Sequence, residues 1–413
     1  MDSRLYWIWL SRAMAPGDRH MNGLLDAFGT AQAVYEASPS GLQEAGLPAE
    51  VCSRLTDHSL EEARRIFDRT LQNGDWILTP EDALYPPQLR HLSAGCPAVL
   101  YCRGVMPDLA ANPAVAVVGT RRSTPQGEQE AFALAAGLAA GGMVVVSGGA
   151  KGIDAAAHRG ALSVGGVTIV VMACELSGNY PAETADVRRM AAAHGGLLVS
   201  EFPPGSRSDC VYPIRNRLMV GLSHGVCVGQ TPHRSGARIT ARIAREQGAD
   251  VFALPGSVSG HFSDGANEEI RNGAMLVRGA SDILEEYAPR FPGMLDVEAG
   301  SRAEEQARRQ TPPVQSPRPL RKKRTSSAAA GGTEPPEKIP AQSAAGSAAP
   351  SVCPVSASDT ARQVWEALAD TPRPVDELAQ QTGLPVARLL AALTELEMLG
   401  AAAQQAGQQY VRK

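Results

Sequence analysis

The chain has 413 residues, 44% hydrophobic and 20% charged, with a formal net charge of −4. That length supports two or three folded domains with ample core. No run approaches eighteen apolar residues and the first residues carry no basic–apolar leader, which on this reading excludes a secreted or membrane-spanning chain and leaves a cytoplasmic one.

Residues 1–80 read as a helical domain of SAM or helix–hairpin–helix type. Leu24, Leu25 and Phe28, then Ala33, Val34 and Ala37, recur at helical spacing, and Gly29, Pro39, Gly41, Gly46 and Pro48 punctuate short helices. The stretch from Gly41 to Pro48 has the shape of a helix, a Gly stop and a second helix. Direct DNA contact and a plain helical cap both stay open for it, because the hairpin carries no cation.

Residues 81–290 alternate strands with helices. Strands are predicted at 115–119, 143–147, 167–172, 197–200, 225–229 and 251–254. They are apolar on both faces, as strands of a parallel sheet covered on both sides must be. With Ala-rich or amphipathic helices between them, the pattern predicts an α/β fold with a Rossmann-like, doubly wound, mainly parallel sheet.

Three strand ends in this region run into Gly/Ser turns carrying a cation. The first is Val118-Gly119-Thr120-Arg121. The second is Ser147-Gly148-Gly149-Ala150-Lys151-Gly152. The third runs from Gly229 to Arg234-Ser235-Gly236 and opens a helix with Arg238, Arg242 and Arg245. In a parallel sheet such turns share the ligand-binding edge, and each presents N–H groups at a helix start to an anion. The first turn is not GxGxxG, so a dinucleotide site is disfavoured. The second lacks the GK[ST] ending of a P-loop, so magnesium–triphosphate binding is disfavoured too. What remains is an anion cradle with no metal and no cofactor, in which Ser147 donates and Lys151 supplies charge. Seven cysteines without CxxC spacing read as reduced thiols rather than a disulfide or zinc framework.

From 206 to 245 the arginines at 207, 215, 217, 234, 238, 242 and 245 face a single acid, Asp209, and such a local basic field attracts polyanions. Arg215-Asn216-Arg217 begins a helix and suits phosphate and base-edge contacts together. Asp154 and His158 stand at i and i+4. A structural hydrogen bond that fixes the imidazole is the favoured reading; an acid–base pair or half a metal site is the alternative.

Residues 291–357, rich in Pro, Ala and Ser and carrying the run Arg321-Lys322-Lys323-Arg324, are expected to be a disordered basic linker. Residues 358–413 follow the order of a winged helix. Helices are predicted at 361–369, 375–381 and 386–399, the last ended by Gly400, and two short strands between 401 and 411. The third helix carries Arg388 beside Glu395 and Glu397, which favours protein interaction over sequence reading.

Taken together, these motifs resemble the DNA-processing protein A (Smf) family of natural transformation. The matching residues are Tyr85-Pro86, Leu89, Pro97, Leu100-Tyr101, Gly104, the turns at 118–121 and 147–154 with His158, Tyr180-Pro181, and Ser200-Glu201. Further on they are Pro213 with 215–217, 234–236, 239–241, Pro255-Gly256 and 272–274. The match is dense from about 85 to 280. The resemblance implies a Rossmann-like core that binds single-stranded DNA, forms homodimers, displaces single-strand binding protein and helps load RecA, without catalysis. It places Arg121 and Lys151 in the binding pocket. The chain departs from the family pattern at Gly149, Ala173, Glu175, Gln230 and Ala237. Glu175 puts charge near the ligand edge, and Gln230 in place of an acid favours an anion.

The expected site therefore comprises Gly119, Arg121, Ser147, Gly148, Lys151, Gly152, Arg215, Asn216, Arg217, Arg234, Ser235 and Arg238, with Tyr180 and Tyr212 as stacking platforms. The rival from another class is a Rossmann-like nucleotide hydrolase using Glu201 or Asp154. The chain lacks the PGGxGTxxE pattern by which those enzymes resemble one another. A sequence-specific transcription factor acting through residues 358–413 is a third.

Overall fold

The computed structural model describes residues 2–310 and 359–412, apart from positions 94, 179–180, 207–211, 259–260, 370, 385–387, 390–391, 394, 397–400 and 406–408. It divides into two units, 1–318 and 319–413.

The first unit is built on a nine-stranded sheet. Its strands are β1 (Trp76–Leu78), β2 (Leu100–Gly104), β3 (Ala114–Val118), β4 (Val144–Ser147), β5 (Thr168–Val171), β6 (Leu197–Ser200), β7 (Gly225–Val228), β8 (Asp250–Ala253) and β9 (Met275–Leu276), in the order β1-β2-β6-β5-β4-β3-β7-β8-β9. From β6 to β9 all neighbours are parallel, while β2 pairs antiparallel with β6 and β1 with β2. The six predicted strands are present within a residue at each end. β1, β2 and β9 were not predicted.

Alternation along β3 explains why both faces are apolar. Ala114, Ala116 and Val118 enter one core, and Val115 and Val117 enter the other. The second core lies under the helices Pro125–Ala140, Ile153–Ser163 and Ala280–Tyr287. These helices approach closely where side chains are small: a Cβ on Gly160 would strike the carbonyl of Phe132.

The first core is continuous with the N-terminal helices. Trp7, Ile8 and Leu10 of the helix Arg4–Ala13, Leu24, and Val34 belong to the same buried cluster as the sheet residues Val118 and Val146. The boundary expected at 80 is thus displaced, since Trp76–Leu78 is an edge strand of the sheet. The short helices Pro39–Glu44 and Ala49–Leu55 flank Gly46 at φ 73°, as the hairpin reading predicts.

The linker expected from 291 needs a correction: Val297–Arg309 is a helix packed on Pro125–Ala140. Few aromatics are needed because the contact is made by glycines. A Cβ on Gly137 would meet Cβ of Ala280 at 2.6 Å and Cβ of Glu304 at 2.9 Å. The buried Glu304 carboxylate accepts from the Ala280 amide at 2.7 Å, capping the helix Ala280–Tyr287. The remainder of the expected linker, from 311, lies outside the described residues.

In the second unit the helices Asp359–Ala367 and Val375–Thr382 pack around Val364, Leu368 and Leu378. Gly383, at φ 67°, closes the latter. A three-stranded sheet follows: β10 (Arg373–Pro374), β11 (Ala402–Gln405) and β12 (Gln409–Arg412), in the order β10-β12-β11. Much of the predicted helix 386–399, including Glu397, and Gly400 lie outside the described residues.

Candidate nucleic-acid interface

In the parallel part of the sheet, the chain leaves β3 toward β4 on one side, while β7 adds to its other side. That is the topological switch point, where open α/β sheets bind ligands beyond the strand carboxyl ends. A cavity of about 510 Å³ opens there, lined by Val118, Gly119, Thr120, Arg121, Arg122 and Asp154, by residues of the helix Tyr212–Gly221, and by 234–237 and Thr240. A smaller cavity of about 150 Å³ shares Arg121, Ala150 and Tyr212 with it and adds Gly148, Lys151 and Cys174. The first and third predicted turns meet in the larger cavity and the second borders both.

The turns are held by backbone geometry. Thr120 donates its amide to the Gln230 carbonyl at 2.9 Å. Gly152, at φ 82°, has no room for a Cβ against the Thr120 carbonyl. Gly119 leaves space for Ile153, and Gly148 for the guanidinium of Arg215, so neither could carry a side chain without displacing its neighbour. Ser235 caps the helix Gly236–Glu246 by accepting from Ala237 N at 3.3 Å.

The cations divide into those at the cavity and those engaged elsewhere. Arg121, Arg122, Lys151 and Arg234 are exposed at its rim. Arg121 lies over the Tyr212 ring with Cζ 3.8 Å from the centroid, so its guanidinium is oriented by a cation–π contact. Arg215 is buried in the wall and donates to the Val171 carbonyl at 2.7 Å. Its Nε and the buried hydroxyl of Thr240 have no hydrogen-bond partner among the described residues. Asn216 donates to the Gly236 carbonyl at 3.3 Å.

Three expected contacts are corrected. Ser147 is fully buried and its hydroxyl donates to the Val117 carbonyl at 2.6 Å, stitching β4 to β3. Arg217 donates to both oxygens of Glu201 at 2.5 and 2.6 Å, with side chains 1% and 7% exposed. Arg238 bonds Glu269 at 2.6 Å, and Arg245 bonds the same carboxylate. Arg242 pairs with Glu246. The helix Gly236–Glu246 therefore lines the cavity with Gly236, Ala237 and Thr240, while its arginines are engaged elsewhere. Arg122 and Thr240 were missed. Arg122 had a signal in its place beside Arg121, and Thr240 one in its place within the matching run 239–241. Tyr180 lies outside the described residues.

Two departures from the family pattern prove structural. Gln230 accepts from Thr124 N at 2.7 Å and donates to its hydroxyl at 3.0 Å, fixing the first turn. Glu175 accepts from Gly205 N at 2.5 Å and lines neither cavity.

Asp154 and His158 do not bond to each other. Asp154 is buried, accepts from Ala150 N at 3.4 Å, and has its carboxyl pushed above the usual range by burial, with Arg215 pulling the other way. His158 is fully buried against the Thr168 hydroxyl at 2.7 Å, and burial, reinforced by Arg215, lowers it from 6.5 to about 3. The unfolded imidazole takes up its proton as pH falls through 6.5, whereas the folded one stays neutral to about 3. Stability present above pH 6.5 should therefore fall on acidification by about 1.4 kcal/mol per unit within that window. Urea midpoints at pH 7 and pH 4.5 check this, and His158→Gln should remove that component of the slope.

The fold is that of a doubly wound α/β protein, with a glycine-lined cavity rimmed by cations at the switch point of its sheet. Among the described residues no helix is long and apolar enough to cross a membrane, and no group of three or more His, Cys, Asp and Glu side chains could hold a metal ion. Comparison with known proteins takes the class further. The pattern of DNA recombination-mediator protein A matches residues 76–288, and that of the DprA winged helix domain matches 342–408. Protein Smf of Synechocystis is 29% identical over 425 residues, covering 99% of this chain and 98% of that one. A putative DNA processing protein DprA of Mycobacterium tuberculosis is 36% identical over 298 residues, covering 68% and 74%. The X-ray structure of DNA processing protein A from Streptococcus pneumoniae superposes with a TM-score of 0.58 at 32% identity, covering 68% of this chain and 97% of that one. The chain belongs to the DNA recombination-mediator protein A (DprA/Smf) family, and with it comes a role in DNA processing as a recombination mediator.

Proposed function

We propose that the chain is a non-catalytic mediator that binds single-stranded DNA at the strand-end cavity. One observation carries this reading: four exposed cations, Arg121, Arg122, Lys151 and Arg234, rim two adjoining cavities, and the wall of the larger holds a buried arginine and a buried hydroxyl with unused donors. Phosphates meet the rim, and the unused donors are left for a nucleotide that enters. A narrow strand-end edge suits a single strand, and Tyr212 provides a ring beside the cations. The hydrolase alternative loses one of its two acids, because Glu201 is clamped by Arg217 and does not line the cavity. Family membership supports the wider role: shielding incoming strands during natural transformation, displacing single-strand binding protein and loading RecA, as a cytoplasmic homodimer.

Titrating labelled oligo-dT by fluorescence anisotropy at several salt concentrations tests the reading. Four neutralised phosphates predict that log K falls with log salt at a slope of about −3. Duplex DNA of the same length should compete poorly. A slope near zero, or equal competition by duplex, contradicts it. Release of base from nucleoside monophosphates, lost in Asp154→Asn, would put the hydrolase in its place.

A further inference from the structure

This inference rests on the single-strand reading and extends it. The segment leaving β5 separates two basins. Met172, Ala173 and Cys174 line the smaller strand-end cavity, whereas Leu176, Ser177 and Gly178 line a distinct groove of about 580 Å³. Two residues of chain, from Cys174 to Leu176, span at most about 7 Å, so the groove begins close to where the strand-end site stops.

The groove is walled by Arg103, Arg188 and Arg189, and none of its described lining residues is acidic. Leu176 and Leu198, with alanines of the helix Ala185–Ala193, make an apolar surface between them. The arginines are held in place. Arg103 makes a bidentate contact with the buried Asp75 at 2.6 and 3.0 Å and reaches the Ser177 hydroxyl at 3.4 Å. Arg188 donates to the Pro181 carbonyl at 2.9 Å and the Thr184 hydroxyl at 3.0 Å. Arg189 is exposed. Asp75 offsets the charge of Arg103 and Asp186 acts on that of the buried Arg188, which leaves Arg189 as the cation the groove presents to solvent. A guanidinium beside an apolar surface suits a nucleotide, with phosphate on the exposed Arg189 and base against the alanine face of the helix.

We propose that this groove is a second contact for the same single strand, engaging nucleotides that run beyond the strand-end cavity. The test compares labelled oligo-dT of about six nucleotides, enough for one site, with oligo-dT of about twenty. Arg189→Glu and Ala193→Glu place negative charge in the groove at exposed positions that the fold does not need. Either should weaken the long oligonucleotide about tenfold and flatten its salt slope by about 0.7, leaving the short one unchanged. Unchanged binding of the long oligonucleotide overturns the groove, as does equal weakening of both lengths. A labelled oligoglutamate peptide that binds and is lost in Arg189→Glu, with long oligo-dT unaffected, overturns it in favour of an acidic peptide. The strand-end site fails separately, if Arg121→Ala/Lys151→Ala leaves the short oligonucleotide bound.

Discussion

Arg217→Ala is expected to destabilise the first unit by about 3–5 kcal/mol, seen as a lower urea midpoint. The substitution leaves the Glu201 carboxylate buried with its counter-ion removed, in a site where burial already pushes that carboxyl upward and Arg217 alone opposes it. Replacing both members with apolar side chains, Glu201→Leu with Arg217→Met, should restore most of the loss, because a buried ion pair often exchanges for packed apolar groups at little cost. The double replacement should also keep its affinity for oligo-dT, since neither residue lines the cavity. Restored stability with lost affinity would return Arg217 to the DNA.

Arg121→Ala/Lys151→Ala should do the reverse. Both side chains are exposed, so the urea midpoint should stay near that of the unaltered chain. Affinity for oligo-dT should fall more than tenfold near physiological salt, and the salt slope should flatten by about 1.4, as two of four phosphate contacts are lost. Arg121→Lys should not rescue fully, because an ammonium cannot reproduce the flat stacking of the guanidinium on Tyr212. An unchanged slope in the double variant contradicts the assignment of these cations to phosphates.

The contrast between Arg215 and Arg217 shows where reading the sequence reached its limit. Both lie in one basic tripeptide at a helix start, and composition alone assigns both to a polyanion. On a helix, residues two apart face different ways. Arg215 turns to the cavity and Arg217 to Glu201, which arrives from the end of β6. Arg238 is diverted in the same way by Glu269 from the helix Asp264–Arg271. These acids are distant in sequence, so nothing local announced the pairing. The parallel strands were legible because Val-rich runs buried on both faces have few other solutions. β1 and β9, at three and two residues, are too short to show a period. The helix Val297–Arg309 was hidden because its contact depends on Gly137 and Gly300, whose value lies in what they lack. The Gly-rich turns were legible for the opposite reason: glycine is itself the signal, and a Cβ would meet the Ile153 side chain at 119, the Arg215 guanidinium at 148 and the Thr120 carbonyl at 152.

Where the strand lies can be read by photocrosslinking. Oligo-dT carrying a photoactive thymine analogue would be bound to the full chain, irradiated, and the adducts mapped by peptide mass spectrometry. Adducts are predicted on peptides spanning 119–122, 148–152, 212–219 and 232–237, which line the strand-end cavities. Adducts confined to the basic run at 321–324 or to residues 359–412 would contradict a strand-end site.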